Sequence, residues 1–298
     1  MKGMNQMSSK NVRLRELLAQ GEILMAPGAH DPLTARMAEK CGFQAVYMTG
    51  AGTVNAQLGM PDHSIITLTE MVQSASRMVN CLNVPVISDA DTGYGGILNV
   101  MRTVEDFEKA GVSGIHIEDQ VMPKRCGHVG GKEVISVSEM EAKIRAACHA
   151  RKDPDFLIIA RVDAKAPLGY DESVRRGKAY MAAGADMIFP EALESEEEFR
   201  SYAKDVKAPL MANMTDFGKT PYLSAAQFQE MGYRLVIYPV SGMRVALKAI
   251  HDLFMEIRET GTQKNALDRM FTRQELYELI GYNDMLELEM RIVGNEKP

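Results

Sequence analysis

Val84-Pro85-Val86-Ile87-Ser88-Asp89-Ala90-Asp91-Thr92-Gly93 decides the fold. An apolar run too short for a helix stops abruptly in two acids and a glycine turn. A buried strand ending at a polar site reads this way. The pattern recurs: short apolar runs closed by glycine, aspartate or proline fall at 23–27, 45–49, 84–88, 114–118, 157–161, 187–191, 210–214 and 235–240. Between them, 68–82, 103–110, 138–150, 171–183, 195–206 and 224–231 repeat apolar residues every three or four positions, as amphipathic helices do. Gly111, Gly184 and Gly232 stand where such helices end. About eight strands separated by helices predict an α/β fold, a closed (β/α)8 TIM barrel with a parallel sheet.

Outward from that core, residues 1–12 read as a loose polar arm before a short helix around 14–18. The helix after the last strand is expected at 245–258 and a loop at 262–270. Further helix follows at 272–293, opened by a capping box of Thr272 and Glu275. The chain thus reads as one domain, 1–298, with a C-terminal helical extension, 262–298. A barrel has no use for that extension, so it is expected to cover a neighbouring subunit or the barrel's side. An oligomer follows from this.

Composition narrows the partners. Residues are 46% hydrophobic and 25% charged, which are globular values. With 34 basic and 40 acidic residues the net charge is −6, and no basic patch interleaved with aromatics stands out, so nucleic acid is excluded as a partner. No apolar run is long enough to span a bilayer, and Met1-Lys2-Gly3-Met4-Asn5-Gln6 lacks the apolar core of a signal peptide, so no membrane partner and a cytoplasmic location are expected. The four cysteines form no CxxC pair, which argues against structural zinc.

Barrel active sites are built at the carboxyl ends of the strands. Asp89 and Asp91 are spaced by two and read as facing one side, as are His116 and Glu118 on the next strand. Carboxylates converging there repel unless a cation sits among them, and Mg²⁺, held by a few carboxylates plus water, suits the set; helix caps or salt bridges are the alternative. Arg161 can clamp a carboxylate in two-point fashion, or pair internally with Asp163 or Glu191. Asn213 and Thr215 alternate so that both can reach one ligand. Thr49, Gly50 and Ala51 close the second strand with glycine-rich backbone that admits an anion. Lys124-Arg125-Cys126-Gly127-His128 then puts a thiol and an imidazole among cations, conditions that lower a thiol's pKa and fit it for proton transfer. By itself the pentapeptide could equally be a solvated turn. A small polycarboxylate is the ligand class these groups suit.

The sequence resembles the isocitrate lyase and phosphoenolpyruvate mutase superfamily, and within it the 2-methylisocitrate lyase branch most. The likeness runs from Leu24 to Tyr282. It rests on Tyr47-Met48-Thr49-Gly50-Ala51-Gly52, Leu58-Gly59-Met60-Pro61-Asp62, Asp89-Ala90-Asp91-Thr92-Gly93-Tyr94-Gly95, His116-Ile117-Glu118-Asp119-Gln120, the Cys126 loop and Gly261-Thr262-Gln263-Lys264. The resemblance implies a homotetramer made of helix-swapped dimers. It also implies Mg²⁺, or Mn²⁺, near Asp62, Asp89, Asp91 and Glu118, mostly through water, with the Cys126 loop closing over the ligand.

The implied reaction is retro-aldol cleavage of a 2-hydroxy acid, with Cys126 protonating the departing carbanion. Arg161 would stabilise the 2-oxo acid, and Tyr47 would serve as base or proton relay, with His116 counted in the catalytic group. Asn213, Thr215, Gly127 and His128 would hold the succinyl part, and the amides of Gly50 and Ala51 the pyruvyl carboxylate. Thr49, Arg125, Glu191 and Pro239 are further expected substrate contacts. Pro239 favours a lyase over the oxaloacetate hydrolase branch, where serine is expected. Where methylisocitrate lyases commonly read serine-glycine-glycine this chain has Thr49-Gly50-Ala51, and Ser241-Gly242-Met243-Arg244 also drifts, so 2,3-dimethylmalate lyase is the alternative. More distant ones are an oxaloacetate decarboxylase or hydrolase and a non-catalytic carboxylate-binding barrel.

Overall fold

A computed structural model describes residues 9–125, 127 and 131–294 of the chain. All eight predicted strands are present: β1 Leu24–Ala29, β2 Val46–Met48, β3 Val86–Asp89, β4 Gly114–Glu118, β5 Leu157–Val162, β6 Met187–Pro190, β7 Met211–Asn213 and β8 Leu235–Tyr238. Each pairs in parallel with its sequence neighbour from β1 to β6, β8 pairs with both β1 and β7, and a bridge between Ile188 and Leu210 closes the ring. β3, β4, β5 and β6 are buried at every position, as strands covered on both faces must be.

Two apolar clusters hold the barrel. Inside, Tyr47, Ile87, Ile159, Phe189 and Ile237 stack with Leu24, Leu157, Met187 and Leu235, while the Lys10–Ala19 helix caps the amino-terminal end with Leu14 and Leu17. Lys10 fastens that helix by donating to the carbonyls of Val79 and Leu82 at 2.9 and 2.7 Å. The larger cluster lies between the strands and the surrounding helices. At the top of β1, Gly28 is obligatory because a Cβ there would overlap the Pro239 carbonyl.

The expected helices form, and Gly111, Gly184 and Gly232 take positive φ just past three of them. Several boundaries differ. The first helix begins at Lys10, inside the segment read as a loose arm, because Ser9 caps it; residues 1–8 lie outside the described residues. Helices Pro32–Lys40 and Gly50–Leu58 escaped the periodicity, as proline and glycine open them. The 262–270 loop contains a 3-10 turn, Lys264–Arg269. The terminal helix keeps its Thr272–Glu275 capping box but breaks at Gly281 (φ 70°) into Arg273–Ile280 and Tyr282–Val293; residues 295–298 lie outside the described residues.

The Arg273–Ile280 helix packs against Pro32–Lys40, where Arg36 donates to the Leu279 carbonyl. The Ser241–Thr260 helix buries none of its residues, and leaves Val245, Leu247 and Phe254 between 56% and 71% exposed. Among the described residues, this amphipathic helix finds no cover for its apolar face. Among the described residues no helix is long and apolar enough to cross a membrane.

Candidate active site

A cavity of about 640 Å³ opens at the carboxyl ends of the strands. Of the residues singled out from the sequence, Tyr47, Thr49, Ala51, Asp62, Asp89, Arg125, Gly127, Arg161, Glu191, Asn213, Thr215 and Pro239 line it. His116, Asp91, Glu118 and Gly50 stand directly behind that lining. Cys126 and His128 lie outside the described residues.

Thr49 ends β2 and caps the Gly50–Leu58 helix, accepting from the Gly52 N–H. Gly50 and Ala51 are therefore the first turn of a helix rather than an irregular glycine loop, and the anion-binding character expected of them resides in free N–H groups at a helix N-terminus. Gly50 must lack a side chain, because a Cβ would strike the Asp89 carboxylate.

The acids gather by a turn, not by strand pleating. β3 stops at Asp89; Asp91 adopts φ 46° and donates its N–H to Asp89 Oδ1 at 2.9 Å. Into this group comes Lys124, 2% exposed, with its Nζ 2.6 Å from Asp62 and 3.0 Å from Asp91. Burial works against its charge, but Asp91, Glu118, Asp89 and Asp62 together outweigh that and hold its pKa well above the lysine value. Asp91, desolvated and beside Asp89 and Asp62, is raised to about 6 despite Lys124.

Glu118 is fully buried and, among the described residues, neither carboxylate oxygen has a hydrogen-bond partner, although Arg161 approaches one at 3.2 Å. Burial raises its pKa strongly. Lys124 and the near edge of Arg161 set against four acids, with both Glu118 oxygens lacking a hydrogen bond, leave a donor set still short of positive charge. Among the described residues, no three His, Cys, Asp or Glu side chains converge closely enough to ligate one metal ion directly. The orphaned Glu118 oxygens, with Asp62, Asp89 and Asp91, are hard oxygen donors of the kind that suits a divalent cation, directly or through water.

Arg161 rises from β5 beside Glu118, its register partner on β4, and reaches into the cavity. It donates to Asp163 at 2.8 and 3.2 Å, lies 3.8 Å from Glu191 and stacks over Phe189. The internal pair that the sequence left open is thus present, and it fixes the guanidinium rather than removing it from the cavity. Glu191 in turn accepts from the Asn213 amide at 3.2 Å.

Beneath the floor, the Tyr47 hydroxyl and His116 Nε2 are 2.8 Å apart and both groups are buried. Burial, outweighing Asp89, lowers His116 to about 4, so the ring is neutral near pH 7. Burial and then Asp89 push Tyr47 well above its ordinary value. A protonated phenol facing a neutral imidazole is suited to relaying a proton, not to standing as a free phenolate base.

Three contributions were not read from the sequence. Lys124 was seen as a cation near a thiol, not as the counter-charge of the acids. Asn55, His63 and Ile65 come from the Gly50–Leu58 helix and the segment after it, which strand-end reasoning does not reach. Arg244 enters from the first turn of the Ser241–Thr260 helix and stacks on Phe217.

Comparison with known proteins matches residues 14–258 to the family described as phosphoenolpyruvate phosphomutase. The chain is 52% identical over 271 residues to the 2-methylisocitrate lyase of Aeropyrum pernix, covering 91% of this chain and 87% of that one. It is 46% identical to the 2,3-dimethylmalate lyase of Eubacterium barkeri, over 93% of this chain and 96% of the other. A solved structure of oxaloacetate acetylhydrolase in complex with the inhibitor 3,3-difluorooxalacetate superposes with a TM-score of 0.92 at 36% identity, covering 97% of this chain and 99% of that one.

Proposed function

The chain belongs to the phosphoenolpyruvate phosphomutase family, and from that premise we propose that it is a carbon–carbon lyase that cleaves 2-methylisocitrate to pyruvate and succinate. The observation that carries the reading is a single cavity in which an acid cluster short of positive charge meets Arg161 of the adjoining strand.

Asp62, Asp89, Asp91 and Glu118 would hold Mg²⁺, or Mn²⁺, largely through water. The ion supplies positive charge for the hydroxyl and adjoining carboxylate of a 2-hydroxy acid. The amides of Gly50 and Ala51 receive the pyruvyl carboxylate. Tyr47 takes the hydroxyl proton as it hands its own to His116 Nε2. The bond between the carbinol carbon and its neighbour then breaks, leaving the oxygen as the pyruvate carbonyl and the electron pair on the carbon that becomes part of succinate. Arg161 stabilises the carbonyl that forms. Cys126 gives its proton to the carbanion, and solvent restores the thiol.

The substrate has three carboxylates, and 2,3-dimethylmalate has two. Arg244, which lines the cavity together with Asn213, Thr215 and Gly127, supplies a cation for the third, which favours the tricarboxylate. The alternative draws on Ala51, a larger residue than the glycine commonly found there, which narrows the pocket. Turnover of 2-methylisocitrate is expected to fall below detection with EDTA and to return with added Mg²⁺. Activity unaffected by chelation would remove the metal from the account.

The bare face of the Ser241–Thr260 helix is covered, in this reading, by exchange with a second chain, giving a homotetramer of two helix-swapped dimers. Sedimentation equilibrium should therefore return the mass of four 33.0 kDa chains, and a monomer would refute the exchange.

A further inference from the structure

Cys126 has Arg125 and Gly127 as chain neighbours, and each is held by a buried side chain that does not line the cavity. On one side, Gln120 clasps the Arg125 peptide: the Arg125 N–H donates to Gln120 Oε1 and Gln120 Nε2 donates to the Arg125 carbonyl, both at 2.9 Å. On the other, Lys132 Nζ donates to the Gly127 carbonyl and to Asp163 Oδ1, both at 2.7 Å. Gln120 is 1% exposed and Lys132 6%.

Asp163 is fully buried and is also the two-point partner of Arg161. Backbone next to Cys126 and the guanidinium of Arg161 therefore hang on one carboxylate. They are also in close register, since a Cβ on Gly127 would lie 2.5 Å from both Arg161 and Glu191. A lysine this deep requires a partner anion, and Asp163 provides it. Arg161 already gives Asp163 a paired cation, however, so neutralising Asp163 does not by itself explain the reach to Gly127.

We propose that Lys132 and Gln120 are positioning residues that fix the backbone of Arg125 and Gly127 on either side of Cys126, and that Lys132 sets Gly127 in register with Arg161 through their shared carboxylate, Asp163. The inference rests on the lyase reading above, in which Cys126 delivers a proton to a carbanion formed beside Arg161. Proton delivery tolerates little misplacement, and an error near 1 Å can cost about 100-fold in rate.

The test uses full-length Lys132→Met, Lys132→Arg and Gln120→Leu enzymes with 2-methylisocitrate. Lys132→Met is expected to lower kcat about 100-fold and Gln120→Leu about tenfold, with the pyruvate Kd in each within about twofold of the parent. The solvent deuterium isotope effect on kcat should rise in both, because proton delivery becomes the slow step. Lys132→Arg, which can reach both acceptors, should recover part of the lost rate. A kcat within about twofold of the parent in Lys132→Met overturns the proposal, as does an unchanged isotope effect or a parallel loss of kcat and pyruvate affinity. If Lys132→Met does not fold, Lys132→Arg and Gln120→Leu are judged by the same readouts. A parent that does not cleave 2-methylisocitrate refutes the lyase reading before any variant is made, whereas an active parent with an indifferent Lys132→Met refutes only this inference.

Discussion

Replacing Cys126 with serine is expected to abolish cleavage of 2-methylisocitrate, with kcat falling by about 10³ or more, while pyruvate binds within about twofold of the parent affinity. A serine hydroxyl occupies nearly the same space, so the binding surfaces of the site should persist. What it lacks is acidity. Its proton is held far more tightly than a thiol's, and a carbanion with no positioned acid returns to substrate instead of partitioning to succinate. The split between lost turnover and retained binding distinguishes a proton donor from a loop residue that shapes the pocket. Pyruvate binding by calorimetry and turnover by coupled pyruvate release measure the two halves separately. Unchanged turnover would remove Cys126 from the mechanism.

Arg161→Met is expected to lose about 10³ in kcat/KM, through loss of the charge that stabilises the forming carbonyl. Unlike the cysteine variant, it should also unfold more easily, by about 3 kcal/mol. The reason lies in its partners: Asp163 and Glu118 are fully buried, Glu191 is 1% exposed, and all three face the guanidinium. Removing that charge takes a cation away from three desolvated carboxylates, with Lys132 remaining on Asp163. Arg161→Lys keeps the charge but loses the fork that reaches Asp163 through two nitrogens, so it should recover more stability than activity. Thermal unfolding read beside kcat/KM checks the ordering. A stable, inactive Arg161→Met would mean that the carboxylates find another partner.

The barrel was legible because buried parallel strands leave a mark that little else produces: short apolar runs cut off by acids or glycine. β4 was read to the residue at Gly114–Glu118, since glycine opens it and the acids close it. Helices with a one-sided apolar stripe were equally clear. Pro32–Lys40 and Gly50–Leu58 were not, because their first turns carry proline and glycine, residues that also mark loops.

At the site, the strand-end rule found the acids and Arg161 but misjudged how the acids meet. Asp91 reaches its neighbours through a left-handed turn, which the two-residue alternation of a strand does not describe. Asp62 has no strand to announce it and came only through resemblance. Lys124 was beyond sequence reasoning for a different reason: its role depends on a 2.6 Å contact with a residue 62 positions away. Lys132 and Gln120 share that difficulty, being polar residues whose meaning lies in what they hold.

That this site breaks a carbon–carbon bond in a tricarboxylate is tested most directly by comparing turnover of 2-methylisocitrate, 2,3-dimethylmalate and oxaloacetate side by side with Mg²⁺ present, identifying the products of each. Equal amounts of pyruvate and succinate are expected from 2-methylisocitrate, at the highest kcat/KM of the three. Faster release of pyruvate and propionate from 2,3-dimethylmalate, or turnover of oxaloacetate alone, would contradict it.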